Sequence, residues 1–256
     1  MRLAVFSFSL WMLAQSAWAD VNRLIDAMGV PELIAAFVTE GLEAGQSIDE
    51  VFLNGQGGDV WVDTVRRLYD PLRMETELRR VMAERLDPDV AAQALLFFES
   101  DLGARIITLE VQARQTFLDD TVEEAAKASP TAQGEQVTDY LVSRDLIERN
   151  TDVAVAAQAA FLEGLSDSSG RSEDAPDMDQ LRARILVDTE GWLRGYNALV
   201  QSAMTKDDIA IYTSFWETDV GAAVDDALFL AFGQSYTTLS YALGQAAGRL
   251  LPQNEL

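Results

Sequence analysis

The octapeptide Phe97–Ala104 (FFESDLGA) returns as Phe215–Ala222 (FWETDVGA) at an offset of 118 residues. Phe, Glu, Asp, Gly and Ala are unchanged, and Phe/Trp, Ser/Thr and Leu/Val are the exchanges. Self-similarity at a long period marks a supersecondary unit used twice, so whatever the first copy builds the second is expected to build as well. The same offset sets Leu86-Asp87 opposite Met204-Thr205 and Asp89 opposite Asp207. Farther upstream the spacing drifts. Leu24-Ile25 and Glu40-Gly41-Leu42 fall opposite Leu146-Ile147 and Glu163-Gly164-Leu165, at offsets of 122 and 123. The chain therefore reads as an internal duplication, with one repeat unit over residues 20–128, a linker over 129–135 and a second unit over 136–256. Ser129–Gly134, which holds a Pro and a Gly, is the expected hinge.

Within each copy the residues spell a helix–helix elbow. Phe97 and Phe98 close one apolar segment, Ser100 offers an oxygen to the first backbone N–H groups of the next, and Asp101 sets negative charge at that helix's positive end. Phe215, Trp216, Thr218 and Asp219 repeat the arrangement. Gly103 and Gly221 fall in the first turn beyond the cap, where lack of a side chain lets a neighbouring segment come close. Asp87-Pro88-Asp89 predicts the start of a helix running to Glu99. Gly29 followed by Pro31 predicts a break between two short helices, and Asn150-Thr151-Asp152 offers capping side chains at the matching corner of the second unit. Val62, Val65, Leu68 and Leu72 keep the spacing of one buried helix face with a kink at Pro71, and Leu181, Ile185, Leu186, Trp192 and Leu193 keep another. Residues 43–58 and 166–177 read as equivalent loops, the second too polar for a core. No segment alternates with a period of two. The expected fold class is all-α, with two tandem, related multi-helix units packed as one bundle-like assembly.

The first elbow, Phe97-Phe98-Glu99-Ser100-Asp101-Leu102-Gly103, resembles the Phe-Tyr-x-Ser-Pro-x-Gly motif of the exported bacterial family called domain of unknown function 2059. Both copies here carry Asp where that motif has Pro, an exchange the first helical position accepts. The second copy departs further, with Trp216 for the aromatic and Thr218 for the hydroxyl. The resemblance extends over about 80 residues around each corner and is closer in the first. It implies an all-helical envelope protein and supplies no catalytic residue.

Arg2, the apolar run Leu3–Leu13 and Ala17-Trp18-Ala19 ahead of Asp20 have the three parts of a secretory signal, with cleavage expected after Ala19 and a periplasmic or secreted destination. That run is too short to span a bilayer, and no Cys follows it for lipid attachment. Arg2 is the only charged side chain in residues 1–19, so removing them takes the formal charge from -23 to -24. With 42 acidic against 19 basic residues, nucleic acid and anionic lipid headgroups are excluded as partners. An envelope protein, a peptide or a glycan is left open, as are the oligomeric state and an acidic coat that only maintains solubility.

The chain has no Cys and no His, which removes disulfides, thiol nucleophiles, Ser-His-Asp triads and nearly all zinc sites, and no cofactor or metal is expected. Asp167, Glu173, Asp174, Asp177 and Asp179 lack the spacing and glycine of a calcium loop, so they read as a solvated segment. Glu99-Ser100 is similar to the Glu-Ser pair of lytic transglycosylases, and Gly195-Tyr196-Asn197-Ala198 to their later Tyr-Asn motif, but the Gly-Leu-Met-Gln element is absent. Glu99 with Asp101, or Glu217 with Asp219, supplies the carboxylate pair that glycosidic chemistry requires, and each has a simpler use as cap or exposed charge.

Ala227–Gly248 contains no charged residue, whereas Leu109–Lys127 after the first elbow contains seven. A helix apolar all round is expected in a core, with Leu228, Phe229, Phe232, Tyr236, Leu239 and Leu243 inside, and Gly244 and Gly248 supply a small-residue contact should it dock instead. Trp61, Trp192 and Trp216 read first as core or elbow residues and second as stacking platforms. The resulting expectation is an exported helical protein acting as a non-catalytic binding or interaction module of the cell envelope. The alternatives are a peptidoglycan-active enzyme using a Glu general acid, and an acidic helper for an envelope client.

Overall fold

The computed structural model describes residues 18–170 and 177–251, and every regular element among them is helical. Residues 1–17, on which the expected apolar run falls, the stretch 171–176 and residues 252–256 lie outside the described residues. Residues 18–27 are helical (α1). There follow α2 (Val30–Phe52), α3 (Gly58–Leu68), α4 (Pro71–Arg85), α5 (Pro88–Phe98), α6 (Asp101–Thr116) and α7 (Asp120–Lys127). A 3-10 turn (Pro130–Gln133) then leads to α8 (Glu135–Ser143), α9 (Leu146–Ser169), α10 (Met178–Gln201), α11 (Lys206–Trp216) and α12 (Asp219–Leu250).

Local chemistry sets the ends. Gly29 turns the chain between α1 and α2 at φ 64°, a left-handed conformation that glycine adopts without steric cost. Asp145 makes the turn between α8 and α9, also left-handed at φ 50°. Asp70 accepts from the Arg73 N–H at 3.0 Å with Pro71 behind it, Asp87 accepts from the Asp89 N–H at 2.8 Å with Pro88 behind it, and Thr205 and Asp208 close a reciprocal capping box on α11. α5 ends at Phe98 with Glu99 as its C-cap, as the sequence predicts.

Several expected boundaries move. Pro71 does not kink a helix. It opens α4, so the supposed single stripe is split, leaving Val65 and Tyr69 buried while Val62 and Leu72 are exposed. The expected loop at 43–58 is helical through Phe52, and α2 is long rather than short. Its Gly41 and Gly45 form a flat face onto which the Tyr69 ring and Val65 press, and the Gly45 carbonyl accepts from the Trp61 indole at 2.8 Å. Asn150, Thr151 and Asp152 lie inside α9 rather than capping it. Asn150 Nδ2 and Thr151 Oγ1 each donate to the carbonyl four residues back, at 2.7 Å. The corner is instead at Asp145, so Leu146-Ile147 open the long helix α9 whereas Leu24-Ile25 lie within the short α1. Ser129–Gly134, expected as a hinge, is packed: Ser129 caps the 3-10 turn and Ala132 is fully buried.

α12 is the organising helix. It runs along α9 and also meets α4 and α5. Against α9 the backbones touch, since a Cβ on Gly244 would lie 2.0 Å from the Phe161 carbonyl oxygen and one on Gly164 2.2 Å from that of Tyr241. Gly244 and Gly248 therefore make their small-residue contact inside the molecule. Of the expected core positions on α12, Leu239 and Leu243 are buried, and Leu228, Phe229, Phe232 and Tyr236 are half-buried. One hydrophobic cluster gathers Ile25, Met82, Phe98, Ile106, Leu141 and Val224, and a second gathers Phe37, Trp61, Tyr69, Phe161 and Leu243. Each cluster draws on residues from both sides of the 129–135 segment. No described helix is long and apolar enough to cross a membrane.

Candidate functional site

The two elbows have the same geometry. Ser100 Oγ accepts from the Gly103 N–H at 3.1 Å and donates to the Phe97 carbonyl at 2.6 Å, and Thr218 Oγ1 accepts from the Gly221 N–H at 3.0 Å and donates to the Phe215 carbonyl at 2.6 Å. Asp101 and Asp219 are the first residues of α6 and α12, where the helix dipole favours a carboxylate. The glycines are required by close approach, because a Cβ at Gly103 would fall 2.1 Å from the Phe97 carbonyl oxygen and one at Gly221 2.2 Å from that of Phe215. The elbows also face one another. Phe97 stacks on Phe215 with ring centroids 4.3 Å apart and an interplanar angle of 14°, and Phe98 meets Trp216 at 5.8 Å. Phe98 also meets the Phe215 ring edge-on at 5.2 Å, so the four rings make one cluster.

A polar seam leaves this aromatic cluster through Tyr212 on α11, which stacks on Tyr140 of α8 and donates to Glu110 Oε1 of α6 at 2.8 Å. Burial pushes the Glu110 carboxyl above its ordinary range, against the Tyr212 hydrogen bond and the nearby Arg144 charge, which pull it down. Tyr212 and Tyr140 are raised as well, chiefly by burial, Tyr140 to about 12. Arg144 lies 3.9 Å over the Trp216 ring and binds the Tyr140 hydroxyl and Asp225. Arg149 holds the other oxygen of Asp225 at 3.0 Å and Asp226 at 2.8 Å. Asp225 is only 3 % exposed, so two guanidinium groups replace its lost water.

Beyond Glu110 the seam opens into a cavity of about 210 Å³. Trp192 and Tyr196, one turn apart on α10, stack at 5.1 Å and form one wall; Tyr196 is fixed by donating to the Glu110 carbonyl at 3.0 Å. Phe232 and Tyr236 of α12 and Leu33 and Phe37 of α2 form the others, and Arg114 of α6 completes the lining. Arg114 sits 5.0 Å from the Trp192 ring centre and pairs through Nη2 with Glu40, while its buried Nη1 has no protein hydrogen-bond partner. A longer, more polar groove follows α12 on another side. Two adjoining hollows of about 570 and 520 Å³ share Glu77, Gln234 and Thr238.

The remaining sequence candidates are distributed elsewhere. Glu99 is exposed, with both oxygens held by Arg23 at 2.7 and 2.9 Å. Asn197 donates to the Leu193 carbonyl within its own helix. Among the described residues no group of carboxylates is arranged to hold a metal ion, and Glu173 and Asp174 lie outside them. Sequence reasoning misses the seam and the cavity, because their partners are far apart in the chain: Arg144 and Asp225 are separated by 81 residues, Tyr212 and Glu110 by 102. The one usable signal is Asp225-Asp226 at the edge of a long uncharged run.

Residues 73–131 match the model of a bacterial family described as "Uncharacterized protein conserved in bacteria (DUF2059)". That stretch is similar to the family. The match runs from α4 to the 3-10 turn, contains the first elbow and bears out the resemblance carried by its motif. Phe97, Phe98, Glu110 and Arg114 lie in the matched stretch, whereas Phe215, Trp216, Trp192 and Asp225 lie beyond it. No curated protein and no solved structure matches the chain.

Proposed function

We propose that this protein is an exported, non-catalytic binding module of the cell envelope. The observation that carries the reading is the cavity beside Arg114, whose lining is aromatic, apolar and guanidinium and includes no carboxylate. Such a lining suits recognition, with apolar surface for affinity and one fixed polar group for orientation. Glycosidic chemistry needs two carboxylates across the bond to be cut. Of the elbow acids, Glu99 is engaged by Arg23, Asp101 and Asp219 stand at helix starts, and Glu217 is an exposed C-cap. Export is supported by Arg2, Leu3–Leu13 and Ala17-Trp18-Ala19. The matched caps of the elbows support an internal duplication as the architectural basis of the module.

The test has two arms. Expressed with its leader in a Gram-negative host, the protein is expected in the periplasmic fraction with Asp20 as its first residue. Incubated with peptidoglycan, it is expected to release no soluble sugar fragments. A cytoplasmic, uncleaved product removes the export reading, and release abolished by Glu99→Gln removes the non-catalytic one.

A further inference from the structure

We infer that the hollow between the end of α3, α4 and α12 binds an aliphatic carboxylate, its chain along the leucines and its carboxylate on Arg73. The site is separate from the cavity beside Arg114 and adds a ligand class that the binding-module reading leaves unnamed. Form sets the first limit. At about 570 Å³ the hollow has the size of a small-molecule site, and Leu68, Leu72, Met74, Leu239 and Ala242 supply its apolar surface. Leu72 is 75 % exposed, an apolar side chain that a bound chain would take out of water. No aromatic ring lines the hollow, so an alkyl chain, which needs only apolar contact, suits it better than a planar guest seeking a ring to stack on.

Charge sets the second. Six polar residues complete the lining, and three of them are already satisfied. Thr76 Oγ1 donates to the Leu72 carbonyl at 2.7 Å, Ser235 Oγ donates to the Ala231 carbonyl at 3.0 Å, and Glu77 accepts from Arg80 through both oxygens, at 2.5 and 2.9 Å. The other three, Arg73, Gln234 and Thr238, are exposed, and their side chains have no protein partner among the described residues. Helix stability does not account for Arg73. It is the third residue of α4, where the helix dipole favours an anion. Glu77, four residues on, is in the less favourable order for such a pair and turns to Arg80 instead. The free guanidinium, amide and hydroxyl are donors from which a carboxylate can accept, the guanidinium in a two-bond fork. A ligand ammonium meets a like charge at Arg73 and finds Glu77 held by Arg80.

The charge of the whole chain makes the test sharp. At a formal -23 the molecule attracts cations and repels anions, so a preference for an acid over the matched amine has to come from a local cation. Calorimetric titration of the full mature chain with decanoate is expected to show one saturable site. Decylamine, equal in chain length, is expected to bind weaker by about tenfold or more, the difference a charge-assisted hydrogen bond makes. Arg73→Gln should erase that preference, and because Arg73 is exposed and makes no ion pair the variant keeps its fold. Arg85→Gln, the same charge change at the other end of α4, should leave the preference as it was. Ala242→Phe fills the hollow while retaining all three donors, and should abolish decanoate binding. The inference is overturned if decanoate gives no saturable heat, if the amine binds as tightly as the acid, if Arg85→Gln acts as Arg73→Gln does, or if binding survives Ala242→Phe. None of these results alters the fractionation and peptidoglycan outcomes, so the two readings fail separately.

Discussion

Gly103 and Gly221 illustrate how little space the elbows leave. The atom that a Cβ would strike is in each case a carbonyl oxygen of the preceding helix, already accepting from a capping hydroxyl, and it has nowhere to retreat. Gly103→Ala and Gly221→Ala are each expected to lower stability by about 1–3 kcal/mol or more. Gly191, inside α10 with no neighbour within 4 Å of where a methyl group would sit, is the control. There alanine is expected to add up to about 1 kcal/mol, because glycine is the poorer helix residue. Urea unfolding followed by far-ultraviolet circular dichroism separates the cases, and equal effects at 103 and 191 would refute the tight elbow. Glu110 gives a different signature. Its raised folded-state pKa means that the folded chain holds a proton the unfolded chain releases, so its contribution is present below 4.5 and is lost as pH rises through the folded value. Glu110→Gln removes that loss and keeps an acceptor for Tyr212. Stability measured at pH 4.5 and pH 8 should therefore shift in favour of the Gln variant at the higher pH, and a constant difference would contradict the burial of this carboxyl.

Between helices, the decisive contact is Asp225 of α12 with Arg144, the C-cap of α8, and Arg149 near the start of α9. Asp225→Asn preserves shape but leaves Arg144, which stays protonated, without its counter-charge in a buried place, and is expected to cost about 3–5 kcal/mol. Glu99→Gln breaks an ion pair that is about half exposed on both sides and is expected to cost about 0–1 kcal/mol, a contrast that the same urea series measures. Element starts are legible in the sequence wherever a local cap writes them, as at Asp87-Pro88 and Ser100, since the cap and the N–H groups it satisfies are within three residues. Legibility fails where the local code is shared. Gly41 and Gly45 have the composition of a loop but serve as a seat for Tyr69 and Val65, and Asn150 to Asp152 have the composition of a cap, yet Asn150 and Thr151 bond backward inside α9 and Asp152 pairs with Arg182 of α10. The elbow residues stand out in the sequence because they recur. Arg114 and the rings around it do not, because nothing local distinguishes Trp192 as a cavity wall from Trp61 as a core residue until α2, α6, α10 and α12 are brought together.

For the whole molecule, the pairing of the elbows bears on whether residues 20–128 and 136–251 are separable. Each hydrophobic cluster contains residues from both segments, and Phe97 and Phe215 stack directly across them. A segment whose core is half supplied by another has no independent route to stability, because exposing the shared surface removes apolar burial from both at once. Urea unfolding is thus expected to follow one transition, with circular dichroism and tryptophan fluorescence coincident. Trp61 and Trp216 make this a sharp comparison, since they report from different clusters and opposite sides of the 129–135 segment. In the double cycle, Phe97→Leu with Phe215→Leu should lose about 0.5–1.5 kcal/mol less than the sum of the single losses, the coupling range for a directly packed aromatic pair. Two resolved transitions, with the cycle additive, would mean that the segments fold apart and that the elbows merely touch.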